Sequence, residues 1–341
     1  DRVIQLEAGH IVGDGPADER LRMPVQSVGL PKRIDDESAE TLIEARDISY
    51  RYVDAERDVF NHLSFSIGKG ETVALMGRNG AGKTTLARML CALEKPTTGS
   101  IVIDGIAVAT AKANGGTKPL NRKNRTRLRR TVGYVMQHPE RQLFADTVAE
   151  DVAYGPSNLG LDTSEAMERA MQAMRLLHIE HLRDRSPFDL SGGQQRLVAI
   201  AGVIACEPKA LILDEPTAFL DFPSKVEIMQ LLHHLTRSAN KTIFLSTHDL
   251  ELALQIADKI WLMDRTNGIT TGTPEDLALS GHLSGFFARK GIVFDTETGL
   301  FRIDNQYSRE IRLTGHGQKY AMVRKALQRN GIRAGRHVES P

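Results

Sequence analysis

Apolar and polar residues alternate along residues 42–52 and again along 62–67, the period-two signature of strands with one buried face. Residues 71–76, 210–213 and 242–245 are short, mostly apolar runs without alternation. Their length and their flanking turn residues predict strands buried on both faces. Residues 101–103 and 132–136 add two further short strands. Apolar positions return at helical spacing in residues 83–93, 164–177 and 194–206. Strands alternating with helices predict an α/β fold with a largely parallel sheet.

The pattern changes at both ends. Residues 1–16 read DRVIQLEAGHIVGDGP, and residues 258–274 read DKIWLMDRTNGITTGTP. The two share an Asp, a basic residue, an apolar strand, a turn, a second short strand and a Pro. The first segment, residues 1–19, is therefore expected to be the tail of an earlier copy of the main domain, as though cut from a longer chain. Residues 20–40, with Pro24, Pro31 and the acidic run Asp35-Asp36-Glu37, read as a linker. The main domain spans 41–280. From 281 to 341 a small extension is expected, with a hairpin of 292–294 and 300–303 around Thr298-Gly299. Tyr320, Val323 and Leu327 would share one helix face there. Contact across a dimer is its expected role.

Composition narrows the classes. With 341 residues, 41% hydrophobic and 26% charged, the chain can build a substantial core. Lys and Arg number 44 against 43 Asp and Glu, so net charge favours neither nucleic acid nor lipid. Arg122, Lys123, Arg125, Arg127, Arg129 and Arg130 do cluster, but no aromatic stacking partners accompany them. A solvated loop and helix face is the expectation, with no nucleic acid as partner. The longest apolar run, residues 197–206, falls short of the roughly 18 residues that a membrane span needs. Cys91 and Cys206 lack metal-ligand spacing and read as reduced core thiols, which suits a cytosolic setting.

The chemistry is concentrated in six places. Gly77-Arg78-Asn79-Gly80-Ala81-Gly82-Lys83-Thr84 fits G-x-x-x-x-G-K-[ST], after a strand and at the start of a helix. Glycines let backbone N–H groups turn inward on phosphate oxygens, and the helix N-terminus adds its dipole. Lys83 is expected to reach the β- and γ-phosphates and the Thr84 hydroxyl to ligate Mg²⁺, with Thr85 completing the nucleotide contacts. Leu211-Ile212-Leu213-Asp214-Glu215 is an apolar strand ending in two carboxylates. Asp214 suits Mg²⁺, and Glu215 suits positioning or deprotonating an attacking water. His248 follows a buried strand where an imidazole can donate to a phosphoryl oxygen. Gln137 ends another strand, and its neutral amide suits Mg²⁺ or the water. Tyr52 is the candidate to stack on adenine; Tyr50 is expected in the core. The sixth place is Leu190-Ser191-Gly192-Gly193-Gln194.

In chain order, Tyr52, Gly77 to Thr84, Gln137, Leu190 to Gln194, Leu211 to Glu215, Asp221 and His248 resemble the nucleotide-binding domain of ABC transporters, over roughly residues 41–280. The resemblance implies a P-loop NTPase of the ABC type: a mainly parallel sheet core, an antiparallel β subdomain and a helical signature subdomain. ATP and Mg²⁺ are the implied cofactors. Gly77 to Thr84 matches the Walker A loop, Gln137 the Q-loop, Asp214 and Glu215 the Walker B Asp and catalytic Glu, and His248 the switch histidine. Asp221 matches the D-loop. Ser191, Gly192, Gly193 and Gln194 match the signature, which in that family closes over the ATP held by an opposite domain. Phe219 departs from the pattern: the resembling D-loops carry a small residue there, and a ring is expected to alter the contact across the dimer.

Gln137-His138-Pro139-Glu140-Arg141-Gln142-Leu143-Phe144 and Glu150-Asp-Val-Ala-Tyr-Gly-Pro156 look like the energy-coupling-factor ATPases, which drive cobalt, nickel and vitamin uptake. This implies a second ABC ATPase domain as partner, a transmembrane coupling protein, and indirectly a substrate-binding membrane protein. The implied location is peripheral, on the cytoplasmic face of the cell membrane. A soluble tandem ABC protein of the translation-factor kind is the alternative, but Thr217 to Asp221 lacks the Asn-His character of that branch. A DNA-repair ABC ATPase would need long heptad coiled coils, and none is present.

Overall fold

The computed structural model describes residues 2–7, 10–16, 40–53, 55–112, 116–118, 120–264, 268–287, 292–295, 300–303 and 307–335. The chain divides into two units, Asp1–Glu40 and Thr41–Pro341. In the first, Arg2–Glu7 and His10–Pro16 form an antiparallel hairpin. The expected linker lies outside the described residues apart from Glu40.

The second unit is organised by a six-stranded sheet. Its order is Gly268–Gly272, Lys259–Asp264, Thr72–Gly77, Thr242–Ser246, Ala210–Asp214 and Val132–Val135. All neighbours are parallel except the edge strand Gly268–Gly272. The Lys259–Asp264 and Gly268–Gly272 hairpin is the segment whose sequence residues 1–16 repeat.

The mostly apolar central strands follow from burial on both faces. Ala74, Met76, Leu211, Leu213 and Leu245 join one core cluster, whereas Val73, Leu75, Ala210, Ile212 and Phe244 join another. Successive residues thus serve opposite sides of one sheet. The first cluster takes in Val152, Ala166 and Val198, from the helices Val148–Asn158, Thr163–Leu176 and Gly192–Ile204. The second takes in Leu86, from the helix Lys83–Leu90, and Ile43 and Ile101. Ile43 and Ile101 lie in an antiparallel sheet ordered Phe60–Gly68, Thr41–Tyr50, Thr98–Ile103, Ile106–Ala111 and Thr117–Lys118. The three expected parts are present: parallel core, antiparallel β subdomain and helical subdomain.

The basic cluster lies on the helix Arg122–Thr131, where only Leu128 and Thr131 are buried. Beyond residue 281, Ile292–Asp295 pairs antiparallel with Leu300–Ile303 as expected; the Thr298-Gly299 turn lies outside the described residues. The helix Gly317–Arg329 also forms, joining Arg309–Arg312 to Ile332–Gly335 in a parallel pair. None of that helix's residues is buried, Tyr320, Val323 and Leu327 included. Among the described residues, no helix is long and apolar enough to cross a membrane.

Candidate nucleotide site

Four adjacent parallel strands end at the same edge of the sheet, which is where α/β folds place their ligands. Thr72–Gly77 delivers the glycine loop, Val132–Val135 leads to Gln137, Ala210–Asp214 ends at the two carboxylates, and Thr242–Ser246 leads to His248. Topology thereby gathers residues spread over more than a hundred positions of sequence.

A cavity of about 1040 Å³ opens there. Asn79, Gly80, Gly82, Lys83, Thr84 and Thr85 line it from the loop and helix start, with Gln137, Glu215 and His248 opposite and Tyr52 on the rim. Gly82 has φ +107°, and a Cβ there would stand 2.7 Å from Val59 Cγ1. A side chain at this position is excluded on both counts. Gly77, Arg78 and Ala81 do not line the cavity. The Gly77 carbonyl accepts a 3.0 Å hydrogen bond from Lys83 Nζ, Arg78 lines a second cavity with Phe286 and Phe287, and Ala81 is buried in the core.

Lys83, Glu215 and His248 form a charged knot. His248 Nε2 lies 2.9 Å from Glu215 Oε1 and 3.3 Å from Lys83 Nζ, while Lys83 Nζ stands 3.7 Å from Glu215 Oε1. Burial pulls the Lys83 ammonium below the usual lysine range, with Glu215 and Asp214 opposing. Glu215 takes a left-handed φ of +53°. Its N–H donates to the Ser246 carbonyl at 3.1 Å and to Ser246 Oγ at 3.0 Å, which holds the carboxylate over the cavity.

Asp214 is fully buried behind this layer. Its Oδ1 accepts from Ser246 Oγ at 2.6 Å, and Oδ2 is buried with no hydrogen-bond partner among the described residues. An orphaned carboxylate oxygen at a phosphate site fits a cation or its water shell.

Tyr52 is half exposed, and its hydroxyl shares a 2.8 Å hydrogen bond with Thr85 Oγ1. Tyr50 is in the core as expected. Its hydroxyl bonds Glu94 at 3.1 Å, and burial followed by that contact pushes the phenol up to about 12.

The signature stands apart. Ser191, Gly192, Gly193 and Gln194 do not line the cavity. Ser191 Oγ accepts from the Gln194 N–H and Gln194 Oε1 accepts from the Ser191 N–H, a capping box that starts the helix Gly192–Ile204. Asp221 similarly caps Phe222–Ala239 by accepting from Ser224 N at 3.1 Å; hydrogen bonds from the Ser224 side chain and then its backbone hold the carboxyl below the usual range.

Two residues escaped the reading of the sequence. Arg196 is buried in the signature helix. Its guanidinium donates to the carbonyls of Gln137 at 2.9 Å, Pro216 at 3.2 Å and Ala218. A lone charge before a long apolar run was the available signal. Asp249 accepts from Thr217 Oγ1 at 2.5 Å and from Lys225 Nζ at 2.9 Å, which ties the segment after His248 to the segment after Glu215.

The profile of the ABC transporter family matches residues 60–218. An energy-coupling factor transporter ATP-binding protein of Methanocaldococcus jannaschii is 40% identical over 238 residues, 69% of this chain and 80% of that protein. The chain belongs to the ABC transporter ATP-binding family. It falls in the energy-coupling-factor branch, and a Bacillus subtilis member of that branch is 41% identical over 66% of this chain and 79% of its own length.

Among solved structures, cbiO1 from Clostridium perfringens, part of the ABC transporter complex cbiONQ, superposes with a TM-score of 0.63. It is 33% identical and covers 72% of this chain and 94% of its own. An ABC transporter ATP-binding protein of Bifidobacterium longum is 54% identical over 248 residues, 71% of this chain. The match spans only 32% of that protein's length.

Proposed function

We propose that the chain is an ATP-hydrolysing motor of an energy-coupling-factor-type importer for a vitamin or a transition metal. The observation that carries this is the knot of Lys83, Glu215 and His248 facing the glycine loop, with the orphaned Asp214 oxygen behind it. Lys83 is held by the Gly77 carbonyl and the Glu215 carboxylate. A triphosphate offers it stronger anionic partners, and its move toward phosphate releases Glu215. Glu215 then orients and deprotonates the attacking water, while His248 donates from its ring to a γ-phosphoryl oxygen. Thr84, Gln137 and Asp214 are the residues suited to hold Mg²⁺. When bound, that ion neutralises phosphate charge. Tyr52 supplies the ring for adenine.

The signature residues do not line this cavity, and we read them as serving a nucleotide on a second ABC domain. The repeated hairpin sequence and the greater length of the Bifidobacterium longum relative support residues 1–19 as the end of such a domain. Residues 20–40 then act as linker, 41–280 as the ATPase domain and 281–341 as a dimer-contacting extension. Names such as cbiONQ complex and energy-coupling factor support a transmembrane coupling partner, and hence a peripheral position on the cytoplasmic face. A substrate-binding membrane protein joins indirectly. Affinity purification from solubilised membranes tests this: a polytopic membrane protein should co-purify, and recovery of ribosomes instead contradicts it.

A further inference from the structure

The D-loop residue Phe219 has no part in the chemistry above, yet it holds an unfavourable backbone. Its φ is +63°, in the left-handed region, which a bulky residue occupies only when its surroundings hold it there. Burial is not the reason, since Phe219 is 84% exposed. Its ring stacks on the imidazole of His138, with centroids 6.0 Å apart and planes 16° from parallel. His138 Nδ1 in turn lies 3.1 Å from Glu140 Oε1.

His138 directly follows Gln137, and both Gln137 and Phe219 line the nucleotide cavity. The Arg196 guanidinium holds the carbonyls of Gln137 and Ala218 from inside. Segments 137–138 and 218–219 are therefore joined twice, by a buried polar hub and by an outer stack. Arg196 fixes only the position of a carbonyl. Rotation of the Gln137–His138 peptide about that anchor would swing the Gln137 amide, and the stacked imidazole resists this rotation.

We propose that Phe219 is a positioning residue that sets the Gln137 side chain in the cavity through its stack on His138. The inference rests on the reading of Gln137 as a contact for Mg²⁺ or the attacking water. It assigns a purpose to the strained backbone: in this conformation the ring stacks on His138.

The test is equilibrium binding of ATP to the full chain, with Mg²⁺ and with EDTA. Phe219→Gly removes the ring and relieves the backbone. Its melting temperature should hold or rise, while affinity for ATP with Mg²⁺ falls about fivefold and affinity in EDTA stays unchanged. Phe219→Trp should restore the Mg²⁺-dependent affinity. In a Gln137→Ala background, Phe219→Gly should have no further effect. Equal loss with and without Mg²⁺, an undiminished effect in that background, or wild-type behaviour of Phe219→Gly would each overturn the proposal. The last of these leaves the nucleotide reading standing. A wild-type chain that binds no ATP, or shows no Mg²⁺ dependence, removes that reading and this proposal together.

Discussion

His248 Nε2 stands 2.9 Å from Glu215 Oε1, although the two residues sit on different strand ends. The contact orients the carboxylate and sets the His248 ring in the lining of the nucleotide cavity. His248→Ala should lower ATP turnover about a hundredfold and change ATP affinity little, because the glycine loop and Lys83 remain. Steady-state kinetics with a parallel binding titration checks both. Comparable losses in kcat and affinity would place His248 in binding rather than in chemistry.

Arg196 fastens the Q-loop segment to the D-loop segment through three backbone carbonyls. Truncation takes that donor from one buried and two part-buried acceptors. Arg196→Ala should destabilise the domain by about 3 kcal/mol, measured by urea unfolding. Arg196→Lys keeps charge but not the planar fork, so it should recover only part of this.

Much of the site was legible because its chemistry is local in sequence. A glycine loop that opens a helix, two carboxylates closing an apolar strand, and a histidine after another strand each carry their own signature. Arg196 was not legible because its partners are backbone carbonyls, which any sequence supplies. The central strands could be read because both faces are buried and the residues are correspondingly apolar. The pair Arg309–Arg312 and Ile332–Gly335 lacks such a pattern: every residue of the first strand is exposed. The helix Gly317–Arg329 was legible from its spacing alone, although none of its residues is buried.

The pH dependence of Lys83 gives a separate check. Its folded-state value is lowered, chiefly by burial. The native chain therefore binds fewer protons than the unfolded chain between that lowered value and the ordinary lysine value. Stability from this group rises with pH across the window. Lys83→Met removes the term, so its stability relative to wild type should be most favourable near neutral pH and decline as pH climbs toward about 10.4. Melting temperatures across that range report it; a constant offset would deny the burial effect.

Service of Ser191 to a nucleotide in trans is proposed above, and a mixing experiment tests it. Lys83→Met and Ser191→Arg chains should each turn over ATP poorly. Mixed, they should regain activity, because one pairing joins an intact loop to an intact signature. Mixtures no more active than their components would instead favour completion within one chain.

The central claim is that this chain hydrolyses ATP through Glu215. Glu215→Gln keeps the shape of the side chain and removes the base. ATP binding should persist within about threefold of wild type, while single-turnover hydrolysis should fall at least about a hundredfold. Hydrolysis near the wild-type rate in that variant would contradict the account.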